Sequence, residues 1–202
     1  MKIDFRKQLK EFYDPPARFV VVDVPEMSFL MLDGQGNPNT APAYGEGIQW
    51  LYSIAYALKF GSKTAERDYV VPPLEALWWS DDMSDFALGR KDKWLWTQMI
   101  MVPDFVSPEL FPEAKDKAVR KLGSPPATLR LERFHEGLSV QFLHIGPYAE
   151  EAATIRRMHE EFIPSQNLAL RGRHHEIYLS DPRRVAQSKL KTIVRQPVKL
   201  AS

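Results

Sequence analysis

The order of elements repeats along this chain, strand, loop, helix, strand, loop, strand, and nothing else in the sequence narrows the fold so far. The repeat can be pinned to residues. Setting Ser80-Asp81 on Ser180-Asp181 places Trp79 on Leu179, Trp78 on Tyr178, Leu77 on Ile177 and Ala76 on Glu176. One strand later, Ile100-Met101-Val102-Pro103 falls on Val194-Arg195-Gln196-Pro197, after a shorter loop in the second half. The expected organisation is one domain over residues 1–202. An arm (1–17) precedes a first repeat (about 18–106), and a connecting helix (107–122) leads to a second repeat (about 127–200).

The element boundaries come from period and punctuation. Phe19–Val24 and Met27–Leu32 are β-branched and apolar and read as strands broken at Pro25. From Tyr44 to Lys59, the residues Ile48, Leu51, Tyr52, Ala55 and Leu58 recur at helical spacing, and Gly61 is the expected stop. Val70–Trp79 and Trp94–Val102 read as strands around a polar loop from Ser80 to Lys93. Ser107-Pro108 opens a helix with a hydroxyl cap and a first-turn proline. Leu129–Phe134 and Leu138–Ile145 read as strands around a turn at Glu136-Gly137, followed by a helix over Tyr148–Phe162 and strands at His174–Leu179 and Lys191–Arg195. The fold class is α+β: two strand-helix-strand-strand repeats forming one curved antiparallel sheet, with helices on one face and a ligand cleft on the other.

Composition removes several functions. The chain has 27 basic and 26 acidic side chains, so its net charge of +1 offers no footprint for nucleic acid or an anionic membrane. It has no cysteine, which excludes disulfides, thiolate metal sites and a cysteine nucleophile. The charged start Met1-Lys2-Ile3-Asp4-Phe5-Arg6-Lys7 is no secretory signal, and no run of about 18 apolar residues occurs, so a cytoplasmic address is expected. Gly34-Gln35-Gly36 lacks the phosphate-loop pattern, and there is no Gly-x-Ser-x-Gly elbow. No metal site is expected, because His174 and His175 point to opposite faces of a strand and no third ligand stands at useful spacing.

The residues with chemical potential lie in His174-His175-Glu176-Ile177-Tyr178-Leu179-Ser180-Asp181. Alternation puts Ile177 and Leu179 with His175, expected on the helix-packed face, and leaves Glu176 and Tyr178 pointing into the cleft. Trp78 would enter from the other half, with Ala76 two residues before it. A carboxylate among aromatic rings is desolvated and serves as a general base or as the counter-ion of a cation. Trp96 and Met99 are candidates for a second wall, although both faces of their strand are apolar and the two cannot share one without a bulge. Tyr148 lies where a strand gives way to a helix, near the sheet rim.

Several stretches carry a family resemblance: Val24-Pro25-Glu26-Met27-Ser28-Phe29-Leu30, Pro72-Pro73-Leu74-Glu75-Ala76-Leu77-Trp78-Trp79, His144-Ile145-Gly146-Pro147-Tyr148 and His175-Glu176-Ile177-Tyr178-Leu179-Ser180-Asp181-Pro182. The chain resembles stand-alone GyrI-like small-molecule-binding proteins. That resemblance implies a cytoplasmic pocket protein without cofactor, whose partner is a small hydrophobic or cationic aromatic molecule. It implies Glu176 at the place where related effector-binding domains of multidrug-sensing activators hold cationic drugs. It further implies detoxification of polycyclic electrophiles by hydrolysis of a cyclopropane ring, with Glu176 and Tyr178 as catalytic residues. Sequestration without turnover and inhibition of DNA gyrase are the alternatives it leaves open. With no helix-turn-helix segment, DNA binding is not expected.

Overall fold

The computed structural model describes residues 2–82, 85 and 88–201, so four positions of the expected Ser80–Lys93 loop (83, 84, 86 and 87) lie outside the described residues. The fold is mixed α/β, with antiparallel pairing in every ladder described below. The chain forms two compact units. One comprises Met1–Phe5 and Met27–Phe134, the other Arg6–Glu26 and His135–Ser202.

In the first unit, β3 (Leu95–Val102) lies between β1 (Val20–Gln35) and β2 (Leu74–Trp79). The ladders run from Ser28 opposite Val102 to Gln35 opposite Leu95, and from Leu74 opposite Ile100 to Trp79 opposite Leu95. Helix α3 (Pro42–Thr64) starts with proline in its first turn and buries Trp50, Leu51, Ile54, Ala55 and Leu58, a stripe at three- and four-residue spacing. It covers the β3 face carrying Gln98, whose Nε2 donates to the Tyr44 carbonyl at 2.9 Å. Gly61 does not end this helix. A Cβ there would lie 3.3 Å from Leu110 of α4 (Leu110–Leu122), so the glycine serves the close approach of two helices. The helix stops where Glu66 turns to φ +62° and the Ser62 hydroxyl bonds the Arg67 carbonyl.

In the second unit, β7 (Lys191–Leu200) pairs with β4 (Arg130–Ile145), with β6 (His174–Tyr178) and with the short β5 (Leu168–Leu170). Helix α5 (Glu151–Arg157) runs through a π-turn (Met158–Phe162) into α6 (Ile163–Ser165). Met158 and Ile163 from this segment pack with Val140, Phe142, Leu168, Val194 and Val198 as the core of the unit.

Two strands run on past their expected breaks. β1 continues through Pro25, which is exposed, and β4 continues through Gly137 at φ +69°, a bulge-like kink. Each residue stands next to the point where its strand passes from one compact unit to the other, at Glu26–Met27 and Phe134–His135. Neither ends its strand. Elsewhere β2 begins only at Leu74, after the prolines, and β7 runs on to Leu200. The Ser107 hydroxyl bonds the Glu109 carboxylate, and α4 starts at Leu110 without a side-chain cap.

One expected face is reversed. Glu176 lies opposite Val194, which packs against the helical Met158 and Ile163, so Glu176 and Tyr178 stand on the helix-bearing side. His175 lies opposite Arg195 on the other side, with Ile177 two residues on. There the arm meets Arg195. It carries α1 (Phe5–Gln8) and α2 (Lys10–Tyr13), whose Phe12 and Tyr13 are buried, and the Phe12 carbonyl accepts from Arg195 Nη2 at 2.6 Å. Ile177 is fully buried there. Among the described residues no helix is long and apolar enough to cross a membrane.

Candidate functional site

Strand β6 presents Glu176 and Tyr178 two residues apart, so both side chains leave the same face. The Tyr178 hydroxyl donates to Glu176 Oε2 at 2.8 Å, and His174 Nε2 lies 3.3 Å from Oε1. The Glu176 side chain keeps 18% of its exposure, enough to meet a solute and too little to behave as a free surface acid. The Tyr148 ring meets Tyr178 edge-on, with centroids 5.9 Å apart and planes at 83°. Burial pushes the Tyr148 hydroxyl up to about 12, and the charges of Glu151, Glu176 and Asp181 push it the same way.

A second carboxyl feels the charge of Glu176. Glu151, in the first turn of α5, is 3% exposed, and its Oε1 has no hydrogen-bond partner. Burial is the main cause that raises its pKa to about 9. The Glu176 carboxylate raises it further, against the Thr192 hydroxyl, which lowers it. At neutral pH Glu151 therefore holds a proton.

This sets a pH signature. The pKa of Glu151 in the folded chain lies above its value in the unfolded chain, so its stabilising contribution is full below about pH 4.5 and is lost as pH rises through about 9. Replacing Glu151 with Gln is expected to remove a loss on the order of a few kcal/mol over that window. Urea unfolding of both proteins at pH 5 and pH 9 measures it. A wild-type curve as flat as that of Glu151→Gln would contradict the shift.

The first unit holds an aromatic cluster of its own. Trp78 lies opposite Trp96 across the β2–β3 ladder. Tyr44, at the start of α3, stacks on Trp78 (5.7 Å, 25°) and meets Trp96 edge-on (5.1 Å, 87°). Trp94 meets Trp78 edge-on at 5.7 Å. The Trp96 ring lies over Gly34, its ladder partner on β1, where a Cβ would come within 2.0 Å of Cη2. Gly34→Ala is therefore expected to cost about 1–3 kcal/mol, the range for overpacked cores, and to shift tryptophan emission. Thermal unfolding reads the loss; an unchanged Tm would mean that the ring moves aside freely.

The match that decides kinship spans residues 18–199, where the chain fits the model of the GyrI-like small molecule binding domain. The chain belongs to the GyrI-like family. Two solved structures from Listeria innocua are similar to this GyrI-like protein over 98% of its length and 100% of theirs. One is an uncharacterized conserved protein (42% identity, TM-score 0.90) and the other a hydrolase (41%, 0.85). The EcmrR C-terminal domain shares the fold at 13% identity and TM-score 0.55, over 91% of this chain and 98% of that one. No curated protein matches the chain.

Of the expected residues in the second unit, Glu176, Tyr178 and Tyr148 come together. In the first unit, Trp78 and Trp96 share a face, with Ala76 on the same side of β2 and fully covered. Met99 stands an odd number of residues from Trp96 and points to the opposite face, buried beside neither tryptophan. The sequence reading missed Glu151, although it follows Tyr148 by one helical turn and so falls on the same side. It missed Tyr44 for want of any cue to which helix end meets the sheet. Among the described residues no group of three or more His, Asp or Glu side chains is placed to hold a metal ion.

Proposed function

We propose that this protein detoxifies polycyclic electrophiles by hydrolysing a strained cyclopropane ring, with Glu176 as general base and Glu151 as general acid. The observation that carries this reading is the Glu176 carboxylate, part-buried and bonded by the Tyr178 hydroxyl, with a buried Glu151 that holds its proton chiefly through burial and feels the Glu176 charge. Glu176 takes a proton from water, and the water oxygen bonds to a ring carbon. The strained carbon–carbon bond breaks, and its electron pair moves through the conjugated system to a carbonyl oxygen, which takes the Glu151 proton. The product is the substrate plus one water. The Tyr178 hydroxyl, bonded to Glu176, holds the base in place, and general acid–base help of this kind contributes roughly 10²–10⁴-fold. Tyr148, whose ring meets Tyr178 edge-on, is assigned to contact a flat ring of the substrate; Tyr148→Ala tests this part by itself.

Kinship with a hydrolase over nearly the whole chain supports turnover. A second reading, sequestration of a hydrophobic cation, is supported by the carboxylate beside the Tyr148 and Tyr178 rings and by the small-molecule-binding character of the family. The two part in ¹⁸O-labelled water with a cyclopropane-bearing alkylator. Hydrolysis gives a ring-opened product carrying one ¹⁸O, at a rate that falls as pH rises through about 9 and loses that fall in Glu151→Gln. Bound, unaltered compound at one equivalent is the result of sequestration and overturns the enzymatic reading.

A further inference from the structure

His174 stands beside the Glu176 carboxylate and His159 beside His174, neither with a part in the proposed hydrolysis. His174 opens β6 and shares a face with Glu176, two residues on. Its side chain is 12% exposed, and neither ring nitrogen has a hydrogen-bond partner, although Nε2 lies 3.3 Å from Glu176 Oε1. Buried imidazole nitrogens are ordinarily satisfied, and the carboxylate oxygen is the acceptor within reach. Oε2 of the same carboxylate already accepts from Tyr178. A small ring rotation would hold Glu176 at both oxygens. Catalytic hydrogen bonds are often loose before substrate arrives.

The helix supplies the second imidazole. Pro164 has no N–H for the Glu160 carbonyl, and the ladder before it opens into the π-turn Met158–Phe162. That turn carries His159, whose Nε2 is buried without a partner. Burial, and then the neighbouring His174, hold the pKa of His159 down at about 4, so its ring stays uncharged at neutral pH and does not compete as a cation for the carboxylate.

We infer that His174 is a positioning residue: its Nε2–H and the Tyr178 hydroxyl grip the two oxygens of Glu176 and fix the plane in which that carboxylate receives a proton. This rests on the reading of Glu176 as the base. The test uses the full chain with His174→Met, which removes the donor at similar volume, and His174→Gln, which keeps an N–H near the position of Nε2.

In the ligand-free protein with ¹⁵N-labelled histidine, His174 is expected to carry its proton on Nε2, with a resonance that moves in Glu176→Gln. In turnover, His174→Met is expected to lower kcat about tenfold to hundredfold with KM within about threefold, as for other groups that orient a catalytic side chain. His174→Gln should recover most of the rate, and on a Glu176→Gln background His174→Met should change nothing further. A proton on Nδ1, a resonance indifferent to Glu176→Gln, or equal loss in the Met and Gln variants would overturn the proposal. Absence of turnover in the wild type would instead sink the hydrolase reading, and the nitrogen spectrum would still decide whether His174 is tied to Glu176.

Discussion

Glu136→Gln is expected to destabilise the protein by about 3–5 kcal/mol, the cost of stranding a buried charge without its partner. Arg195 and Glu136 are 1% and 2% exposed and meet at 2.9 Å, while His175 Nδ1 lies 2.9 Å from the other carboxylate oxygen. Arg195 Nε also donates to Gln141 Oε1 at 2.9 Å, and Nη2 to the Phe12 carbonyl. Burial alone would raise the carboxyl of Glu136, yet the charges of His175 and Arg195 prevail and hold it at about 2. Its stabilising contribution is therefore present above about pH 4.5 and lost as pH falls through about 2. Removing both charges, as Glu136→Leu with Arg195→Met, should restore much of the stability, because a dry apolar pair has no charge to desolvate. Urea unfolding at neutral pH measures each variant. A single variant as stable as wild type would mean that water reaches the site on small adjustment.

Glu176→Gln is expected to lower kcat by roughly 10²–10⁴, the range for losing a general base, while substrate affinity changes by only a few-fold. Glutamine keeps the size of the side chain and can still accept from Tyr178, but it cannot take the proton of water. Its effect should not add to that of Glu151→Gln, since acid and base serve one step and either loss stalls it. Steady-state kinetics on the two single variants and the double variant give this directly. Additive losses would mean separate roles for the two carboxyls.

The legible parts of this fold were those written in local period. The α3 stripe from Trp50 to Leu58 follows from helical spacing, and the common face of Glu176 and Tyr178 follows from strand alternation. Pro25 and Gly137 misled because they carry the marks of strand ends, and a sequence does not say whether a bent strand stops or goes on. The side on which Glu176 stands was misplaced for a similar reason. Ile177 only signals that it is buried, and the arm residue that meets this side, Phe12 at Arg195, lies far away in the chain. The registers also shift the expected match between halves. Trp78 faces Trp96 and Tyr178 faces Thr192, so aligning the first pair of residues sets Ile100 on Gln196 and not on Val194. On this register Gly36 and Gly146 correspond, both at positive φ, with N–H groups donating to the carbonyls of Trp94 and Leu190. We propose that this correspondence reflects an internal duplication.

Counting product molecules per protein molecule tests the hydrolytic role most directly. With a cyclopropane-bearing alkylator in large excess, mass spectrometry should find many equivalents of ring-opened alcohol per chain of wild type, and close to none from Glu176→Gln. A yield that levels off at one equivalent, or an undiminished yield from Glu176→Gln, would contradict it.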